Sequence, residues 1–274
     1  MQPGNAPIAI AAERAACRLL AFVSLTVVVA AGCNGEPSPQ AIELLRKGYA
    51  AYSIRDDRQA VQVLDEFLRD NSGSTRADEA FYLRGLARKR QGDPAGAKSD
   101  LDLALSKTQN TSLRAKALLA LGDLAYDAED MDLADNLYRQ ALADIERGQP
   151  PSDHAHYRLG AVLQRQGRWR EADAQLDRVI FYFGDTELGR LAARRTHCTA
   201  WAVQTGAFGD RARAESSAEG LRREGLPAEC KAVLQDGQTL FVVRVGRFGT
   251  YAEAADQLKE TRAHQQDAFL TTAR

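Results

Sequence analysis

The chain has 274 residues, with 36 lysines and arginines against 37 aspartates and glutamates, and an apolar fraction of 45%. This composition is typical of a folded protein, and a net charge of −1 excludes bulk electrostatic attraction to nucleic acid or anionic lipid. Aromatic residues make up only 7% of the chain, and alanine and leucine recur throughout, which favours amphipathic helices over an all-β fold.

The N-terminal segment has the pattern of a secretory signal. Two arginines precede an uncharged run over 19–31, which is too short to cross a bilayer as a helix of about 20 residues. The run ends in Ala-Ala-Gly-Cys33, which resembles the lipobox of bacterial lipoproteins. The resemblance implies that 1–32 is a lipoprotein signal peptide and that Cys33 is lipidated. The two prolines of EPSPQ (36–40) predict that 33–40 is an extended tether, because they disfavour a helix there. Asn34 implies the periplasmic face of the outer membrane. An ordinary secretory signal with a coincidental cysteine is the alternative.

An internal repeat follows the tether. Four glycines are separated by 37, 37 and 38 residues: Gly48, Gly85, Gly122 and Gly160. An alanine follows each glycine 12 residues later: Ala60, Ala97, Ala134 and Ala172. A turn-forming stretch lies between each glycine and its alanine, with apolar residues at helical spacing on both sides. Each unit is therefore predicted to be two antiparallel helices whose small residues allow close approach. In the second unit we expect Asp93 to cap the second helix and Pro94 to occupy its first turn.

A helical hairpin at this spacing resembles the tetratricopeptide repeat (TPR), whose glycine and alanine positions match these residues. The fourth unit, LGAVLQRQGRWREADAQLDRVI, matches best. The resemblance implies an all-α TPR solenoid of antiparallel helical hairpins over 41–197. The segment from Thr186 to His197 is predicted to be a closing helix, because solenoids need a cap over their last unit.

The groove positions of the TPR family carry five of the chain's eight tyrosines: Tyr49, Tyr52, Tyr82, Tyr126 and Tyr157. The resemblance implies that this groove binds a protein or peptide partner, with Lys89, Arg90 and Arg165 beside it. Half-buried tyrosines that pack between helices with their hydroxyls in water explain the same pattern. Both interpretations stay open at this point.

A second repeat begins after residue 198, where the pattern changes to the alternation typical of strands. WAVQTGAFGDRARAE (201–215) corresponds to FVVRVGRFGTYAEAA (241–255), 40 residues later. Each copy predicts a strand that ends in Gly-x-Phe-Gly and passes into a helix. Thr250 and Glu253 are expected to form a capping box at the start of the second helix.

Two further strands are predicted beside this repeat. Residues 229–235 form one of them, joined by a turn at Asp236-Gly237 to the strand that starts at Thr239. The last strand is expected over 268–271. The order βαββαβ predicts a small α+β domain in which a four-stranded antiparallel sheet carries two helices on one face.

The doubled motif, Val-Gln-x-Gly-x-Phe and then Val-Arg-Val-Gly-x-Phe, closely resembles the SPOR domain of bacterial envelope proteins, which has an RNP-like fold. The resemblance covers nearly all of 199–274. It implies binding to peptidoglycan, chiefly to glycan strands that have lost their stem peptides, and a place in the cell envelope at division sites.

Strand alternation places six residues on the face of the sheet that the helices leave open: Ala202, Gln204, Gly206, Leu240, Val242 and Arg244. Gln204 matches the glutamine of the SPOR motif and Arg244 lies at the equivalent place in the second copy, so both are predicted to bind glycan. Leu240 and Val242 are predicted to form an apolar platform beneath a sugar ring. RNA binding is disfavoured because this face has no aromatic pair and the chain is exported.

No catalytic or metal-binding motif is found. The four histidines have no ligand-spaced companions, and the sequence contains no nucleophile-elbow, zinc-protease or phosphate-loop string. We therefore expect a binding protein without a cofactor, not an enzyme. The alternative is a scaffold lipoprotein of outer-membrane protein assembly or cell-wall synthesis, in which the SPOR domain only localises the TPR part. The redox state of Cys198 and Cys230 stays open.

Overall fold

A computed structural model of the chain describes residues 35–235 and 237–274. The predicted signal peptide 1–32, the lipidation site Cys33 and the turn residue Asp236 lie outside the described residues. The first part of the described chain is helical: α1 (Pro39–Ser53), α2 (Asp57–Asn71), α3 (Ala77–Arg90), α4 (Pro94–Lys107), α5 (Thr111–Asp127), α6 (Met131–Asp144), α7 (Ser152–Arg165), α8 (Trp169–Phe183) and α9 (Glu187–Arg195). The second part mixes strands and helices: β1 (Ala200–Phe208), α10 (Arg211–Arg223), β2 (Ala228–Gln235), β3 (Gln238–Phe248), α11 (Tyr251–Arg262) and β4 (Phe269–Ala273).

The repeat glycines and alanines lie where paired helices cross. All four alanines are fully buried: Ala60, Ala97, Ala134 and Ala172. A Cβ atom added to any repeat glycine would come within 2.7–2.9 Å of a large side chain on the second helix of the same unit. The pairs are Gly48–Leu64, Gly85–Leu101, Gly122–Tyr138 and Gly160–Leu176. The predicted solenoid of helical hairpins is therefore confirmed, with α9 as the closing helix.

Aspartate side chains begin the second helix in three of the four units. Asp56, Asp93 and Asp130 each accept a hydrogen bond from the backbone N–H three residues further on. Pro94 occupies the first turn after Asp93, as predicted. These caps satisfy N–H groups that the start of a helix leaves free. The fourth unit has Arg168 at the equivalent place and no side-chain cap.

The first helix begins earlier than the sequence predicts. The prolines of the tether are predicted to keep it extended, yet α1 starts at Pro39. Ser38 accepts a hydrogen bond from the backbone N–H of Ala41 at 3.2 Å, and Pro39 occupies the first turn, where a missing N–H costs nothing. The last two residues of the predicted tether, 33–40, therefore belong to the helix.

The C-terminal domain has the predicted βαββαβ order, and its antiparallel sheet has the strand order β2–β3–β1–β4. Helices α10 and α11 pack on one face, where Val203, Val243 and Val245 are fully buried. Thr250 and Glu253 form the predicted capping box at the start of α11. The alternate residues of each strand point to the opposite face, which neither helix covers.

A β-bulge changes one predicted orientation. Gln204 on β1 pairs with Arg244 on β3, but Gly206 pairs with Val243, so Thr205 is an extra residue between two paired positions. Gly206 therefore belongs to the helix-covered face and does not share the face of Gln204. Strict alternation fails here because a bulge adds one residue to one strand only.

The two Gly-x-Phe motifs share one packing arrangement. In each copy the phenylalanine ring lies over the glycine two residues earlier, so a Cβ atom at Gly206 would collide with Phe208, and one at Gly246 with Phe248. Both rings pack against the core between the sheet and its helices. Gly246 also has a φ of 69°, a conformation that residues with a side chain rarely adopt. The motif is therefore explained by packing on the covered face.

Candidate binding surfaces

Four side chains lie in a row across the sheet on the face opposite the helices. Arg244 on β3 is the register partner of Gln204 on β1 and of Glu229 on β2. Gln204 is in turn the partner of Phe269 on β4. Directly opposed residues of antiparallel strands have their Cβ atoms about 4.5–5.5 Å apart. Glu229, Arg244, Gln204 and Phe269 therefore form one continuous strip, which we call the sheet row.

Arg244 is half-buried in the sheet row, and its Nε atom is buried without a hydrogen-bond partner among the described residues. Burial lowers the pKa of its guanidinium, and nearby Cys198 and Glu229 partly oppose that effect. The arginine side chain stays charged in proteins, and a buried donor without an acceptor is costly.

Phe269 supplies an aromatic surface that the sequence analysis missed. Its side chain is 48% exposed, and it lies beside Gln204 in the sheet row. An exposed ring next to hydrogen-bonding groups suits the apolar face of a sugar ring. Alternation within β4 was the available signal, since Ala268 and Leu270 on either side of it pack toward the helices.

Val242 does not provide the predicted apolar platform. It is only 3% exposed because it lies on the central strand β3, between its register partners Ala207 on β1 and Lys231 on β2. Leu240 is half-buried and pairs with Val233 near the β2–β3 hairpin, away from the sheet row. The apolar part of this face beside Gln204 is therefore Phe269.

The five predicted groove tyrosines differ in exposure. Tyr49 on α1 is 61% exposed. The other four are half-buried and pack against hydrophobic clusters between helices: Tyr52, Tyr82, Tyr126 and Tyr157. Burial raises the pKa of Tyr82 to about 12, helped by nearby Tyr52 and Asp123. For these four residues the structure favours the interpretation as packing tyrosines, and it leaves Tyr49 open to solvent.

Three of the half-buried tyrosines are each covered by an arginine from the next part of the solenoid. The distances from guanidinium carbon to ring centroid are 3.8 Å for Arg90–Tyr52, 4.6 Å for Arg165–Tyr126 and 5.6 Å for Arg195–Tyr157. A cation–π contact of this kind contributes about 0.5–1 kcal/mol at an exposed site. The tyrosines therefore help to hold successive units together.

Asp123 on α5 is the centre of a charged cluster that joins three units. Its carboxylate lies 3.3 Å from Nζ of Lys89, 3.3 Å from Nε of Arg158 and 3.4 Å from Nε2 of His154. It also accepts a hydrogen bond of 2.7 Å from the hydroxyl of Tyr138. Burial alone would raise the pKa of Asp123, but the His154 hydrogen bond and the two cations hold it well below its usual value. The charge of Lys89 is thus compensated within the solenoid.

Trp201 joins the two domains. Its indole N–H donates a hydrogen bond of 3.3 Å to the backbone carbonyl of Gln164 at the end of α7. Its ring centroid lies 5.9 Å from that of Trp169 on α8 and 5.1 Å from that of Tyr251 on α11. Trp201 is only 5% exposed. The fourth unit and the sheet domain are therefore packed against each other.

Arg165 extends this contact and changes the role of Tyr126. Its guanidinium carbon lies 4.6 Å from the Tyr126 ring and 4.2 Å from the Tyr251 ring, and it donates a hydrogen bond of 3.0 Å to the Tyr251 hydroxyl. The sequence predicts an open partner groove at Tyr126 and Arg165. The first residue of α11 occupies that end of the groove instead, because the C-terminal domain packs against the fourth unit.

Cysteines and histidines add no metal site within the part of the chain that the structure describes, where no group of three or more histidine, cysteine or acidic side chains is placed to hold an ion. Cys198 is buried, Cys230 is half-buried, and both thiols are free. Nδ1 of His156 lies 2.9 Å from Oε1 of Gln175, away from the Asp123 cluster. No helix among the described residues is long and apolar enough to cross a membrane.

Family models match both parts of the chain. Residues 199–272 match the SPOR domain, and residues 154–183, which cover α7 and α8, match the tetratricopeptide repeat. The chain therefore carries a SPOR domain behind a TPR solenoid, and both are binding modules. A SPOR domain is a module of the cell envelope and points to peptidoglycan, and a TPR points to a protein or peptide partner.

Three solved structures show partial similarity. A crystal structure of MamA is 21% identical, covering 53% of this chain and 79% of that one, with a TM-score of 0.46. A tetratricopeptide repeat protein from Parabacteroides merdae is 20% identical, covering 57% and 59%, with a TM-score of 0.48. The first TPR of Spaghetti (RPAP3), bound to an HSP90 peptide, is 21% identical, covering 47% and 94%, with a TM-score of 0.40. Among curated proteins no match is found.

Proposed function

We propose that this chain is a lipid-anchored envelope protein that binds denuded peptidoglycan glycan through the sheet row of its SPOR domain. The observation that carries the proposal is the alignment of Glu229, Arg244, Gln204 and Phe269 on the uncovered face, one from each strand. Together they offer donors, acceptors and an aromatic ring along one line. The hydroxyl, N-acetyl and ring surfaces of a glycan need all three.

Each residue of the sheet row has a distinct task in this proposal. The amide of Gln204 both donates and accepts hydrogen bonds, which suits hydroxyl and N-acetyl groups. Arg244 donates from the accessible part of its half-buried guanidinium. Phe269 supports the apolar face of a sugar ring, and Glu229, which pairs with Lys231 at 2.7 Å, accepts from hydroxyl groups at the end of the row.

The balanced charge of the domain fits a ligand that binds chiefly through hydrogen bonds and stacking. Residues 199–274 contain 10 lysines and arginines and 10 aspartates and glutamates. A phosphate-rich polymer would call for a surplus of cations. A sugar polymer gains much of its affinity from hydrogen bonds and stacking, which a balanced surface provides.

Co-sedimentation of the full chain with intact and amidase-treated peptidoglycan tests the proposal. We expect amidase treatment to increase the bound fraction, because removal of stem peptides exposes glycan. Loss of one hydrogen-bonding side chain should weaken binding by about 0.5–1.5 kcal/mol, and the double change Gln204→Ala with Arg244→Ala is expected to weaken it by more. The matched control is Gln257→Ala with Lys259→Ala, an amide and a cation on α11, in the layer that covers the other face. Equal sedimentation of both double variants with denuded glycan would refute the sheet row as the site.

For the protein partner, we propose a surface at the N-terminal end of the solenoid. Tyr49 and Ile54 are 61% and 74% exposed there, whereas Tyr126 is covered by Arg165 at the other end. A partner can be isolated by cross-linking through this end of the solenoid. Tyr49→Ala is expected to weaken the binding of that partner, whereas Tyr157→Ala is expected to lower the stability of the solenoid instead. A partner that is retained by Tyr49→Ala and lost with a stably folded Tyr157→Ala would place the surface elsewhere.

A further inference from the structure

The fourth unit encloses a cavity that belongs neither to the sheet row nor to the tyrosine groove. It lies between α6, the connection 145–151, α7 and α8, and has a volume of about 490 Å³. This volume is within the roughly 300–1,000 Å³ that is usual for pockets that hold small molecules. None of the five groove tyrosines lines it.

The lining of this cavity is basic. Arg139, Arg147 and Arg178 all contribute to it, and no aspartate or glutamate does. Arg139 is paired with Asp135 at 2.7 Å. Within the described chain neither Arg147 nor Arg178 has a carboxylate partner. The cavity therefore carries positive charge that the surrounding described residues do not compensate.

A residue that lines the same cavity carries a buried hydroxyl without a partner. Ser152, the first residue of α7, is only 2% exposed, and its Oγ makes no hydrogen bond among the described residues. Helix α7 also begins without a side-chain cap. A buried hydroxyl without a partner costs about 1–3 kcal/mol, and a ligand that supplied an acceptor would remove this cost.

Neighbouring side chains hold Arg178 in place without neutralising it. Arg178 donates a hydrogen bond of 3.1 Å to Oε1 of Gln175, which also accepts from Nδ1 of His156 at 2.9 Å. Gln175 is 8% exposed and is therefore fixed by packing. Burial lowers the pKa of His156, so the imidazole is neutral and the charge of the site comes from the arginines.

A second cavity of the solenoid provides a contrast. It has a volume of about 590 Å³ and lies beside the connections 72–76 and 108–110. Asp78 and Glu79 line it together with Lys107, so its charges are mixed. The basic lining therefore distinguishes the cavity at Ser152 from this second cavity.

We propose that the cavity at Ser152 binds a small organic anion, a carboxylate or phosphate on a short apolar body. The anionic group is held by Arg147 and Arg178, and the hydroxyl of Ser152 donates to one of its oxygens. The apolar body lies on Leu142 and Leu159, which belong to the apolar part of the lining. This binding is independent of glycan recognition, since it uses no residue of the SPOR domain.

Isothermal titration of the full chain with three probes of similar size tests the proposal. Phenyl phosphate and phenylacetate share the anionic chemistry and separate a phosphate from a carboxylate preference, and benzyl alcohol is the neutral comparison. We expect at least one anion to bind with a dissociation constant of about 1 mM or lower, and benzyl alcohol to bind at least tenfold more weakly. Absence of binding by both anions, or equal binding of the alcohol, would refute the proposal.

Variants locate the binding within the cavity. The double change Arg147→Ala with Arg178→Ala is expected to lower the affinity for the more tightly bound anion at least tenfold. Ser152→Ala is expected to lower it by about threefold to tenfold. Arg170→Ala, an exposed arginine of α8 that does not line the cavity, is the matched control and should bind normally. Ser152→Ala removes a hydroxyl without a partner, so the melting temperature of the unliganded variant should not fall. Unchanged affinity in Ser152→Ala and in the double variant would place the anion elsewhere.

Discussion

The hydroxyl of Tyr138 donates a hydrogen bond of 2.7 Å to the carboxylate of Asp123, while the tyrosine ring packs against Gly122. The other three units have a leucine at the place of Tyr138. The third unit therefore uses one side chain both to fill the helix crossing and to orient a buried carboxylate toward the cations of its neighbours. The charged cluster at Asp123 depends on this exchange of leucine for tyrosine.

The cluster predicts a dependence of stability on pH. The pKa of Asp123 is lower in the folded protein than in the unfolded chain. Its charged form therefore stabilises the fold at pH values above the unfolded-state pKa of about 4. This contribution is lost as the pH falls below that pKa. Asp123→Asn should lower the free energy of unfolding at pH 7, and its difference from the wild type should shrink below pH of about 4. Urea unfolding at several pH values measures this. Asp127→Asn, at a carboxylate 59% exposed, is the control and should show little of the effect.

Overpacking a helix crossing is expected to destabilise the solenoid. Ala134 is fully buried between α5 and α6, and Ala134→Leu should cost about 1–3 kcal/mol of unfolding free energy. Hydrogen exchange should localise the loss to the third unit and its neighbours, since each unit contacts only those. Ala143→Leu, at an exposed position of α6, makes the same exchange outside the crossing and should be nearly neutral. Similar losses in both variants would contradict the assigned crossing.

The contact between the domains is expected to depend on Arg165. Arg165→Ala removes the hydrogen bond to Tyr251 and the stacking on two tyrosine rings. Amide hydrogen exchange at the start of α11 and along 196–199 should become several-fold faster, because the SPOR domain then separates more often from the fourth unit. Arg170→Ala is the control. Unchanged exchange in Arg165→Ala would mean that the other contacts, such as the hydrogen bonds of Trp201 and Arg274, are sufficient to hold the domains together.

The aromatic member of the sheet row is expected to contribute to glycan binding. Phe269→Ala should reduce sedimentation with denuded glycan by about threefold to tenfold, since a stacked aromatic contact is worth roughly 0.5–1.5 kcal/mol. The fold should be retained because Phe269 is 48% exposed. Leu234→Ala removes another exposed apolar side chain of the same sheet, 77% exposed on β2, and should bind normally. Equal binding by both variants would remove Phe269 from the site.

The lipid anchor is predicted at Cys33, outside the described residues. Cys33→Ala should release the protein from the membrane fraction into the soluble exported fraction, because acyl chains provide the attachment. Metabolic labelling with a palmitate analogue reports the modification directly, and Cys198→Ala, at a buried thiol, is the control that should keep its label. A wild-type chain that stays with the membrane but carries no label would disprove lipidation.

Local patterns were sufficient to predict much of this fold. The glycine and alanine repeat gave the helical hairpins because close helix crossings require small residues at fixed spacing. Alternation also placed Gln204 and Arg244 on the same face of the sheet, and the structure pairs them in register. Alternation could not predict the bulge at Thr205, because the sequence pattern does not show where one strand has an extra residue.

Contacts between distant segments could not be predicted in the same way. The role of Tyr126 depends on Tyr251, which lies in another domain and is brought close only by tertiary packing. Phe269 becomes part of the sheet row through the register of β4 against β1, and no sequence period fixes that register. The low exposure of Val242 likewise comes from its neighbours on two other strands.

Phe208 packs over Gly206, and Phe248 packs over Gly246. The Gly-x-Phe motif and the sheet row are therefore under different selective pressures. The doubled motif that makes the domain recognisable is fixed by the demands of folding, because each ring needs a bare glycine beneath it. The sheet row carries no such demand, and its four positions can diverge while the domain keeps its shape. Changes of ligand preference between related domains should therefore accumulate at the equivalents of Glu229 and Phe269, while the motif itself stays constant.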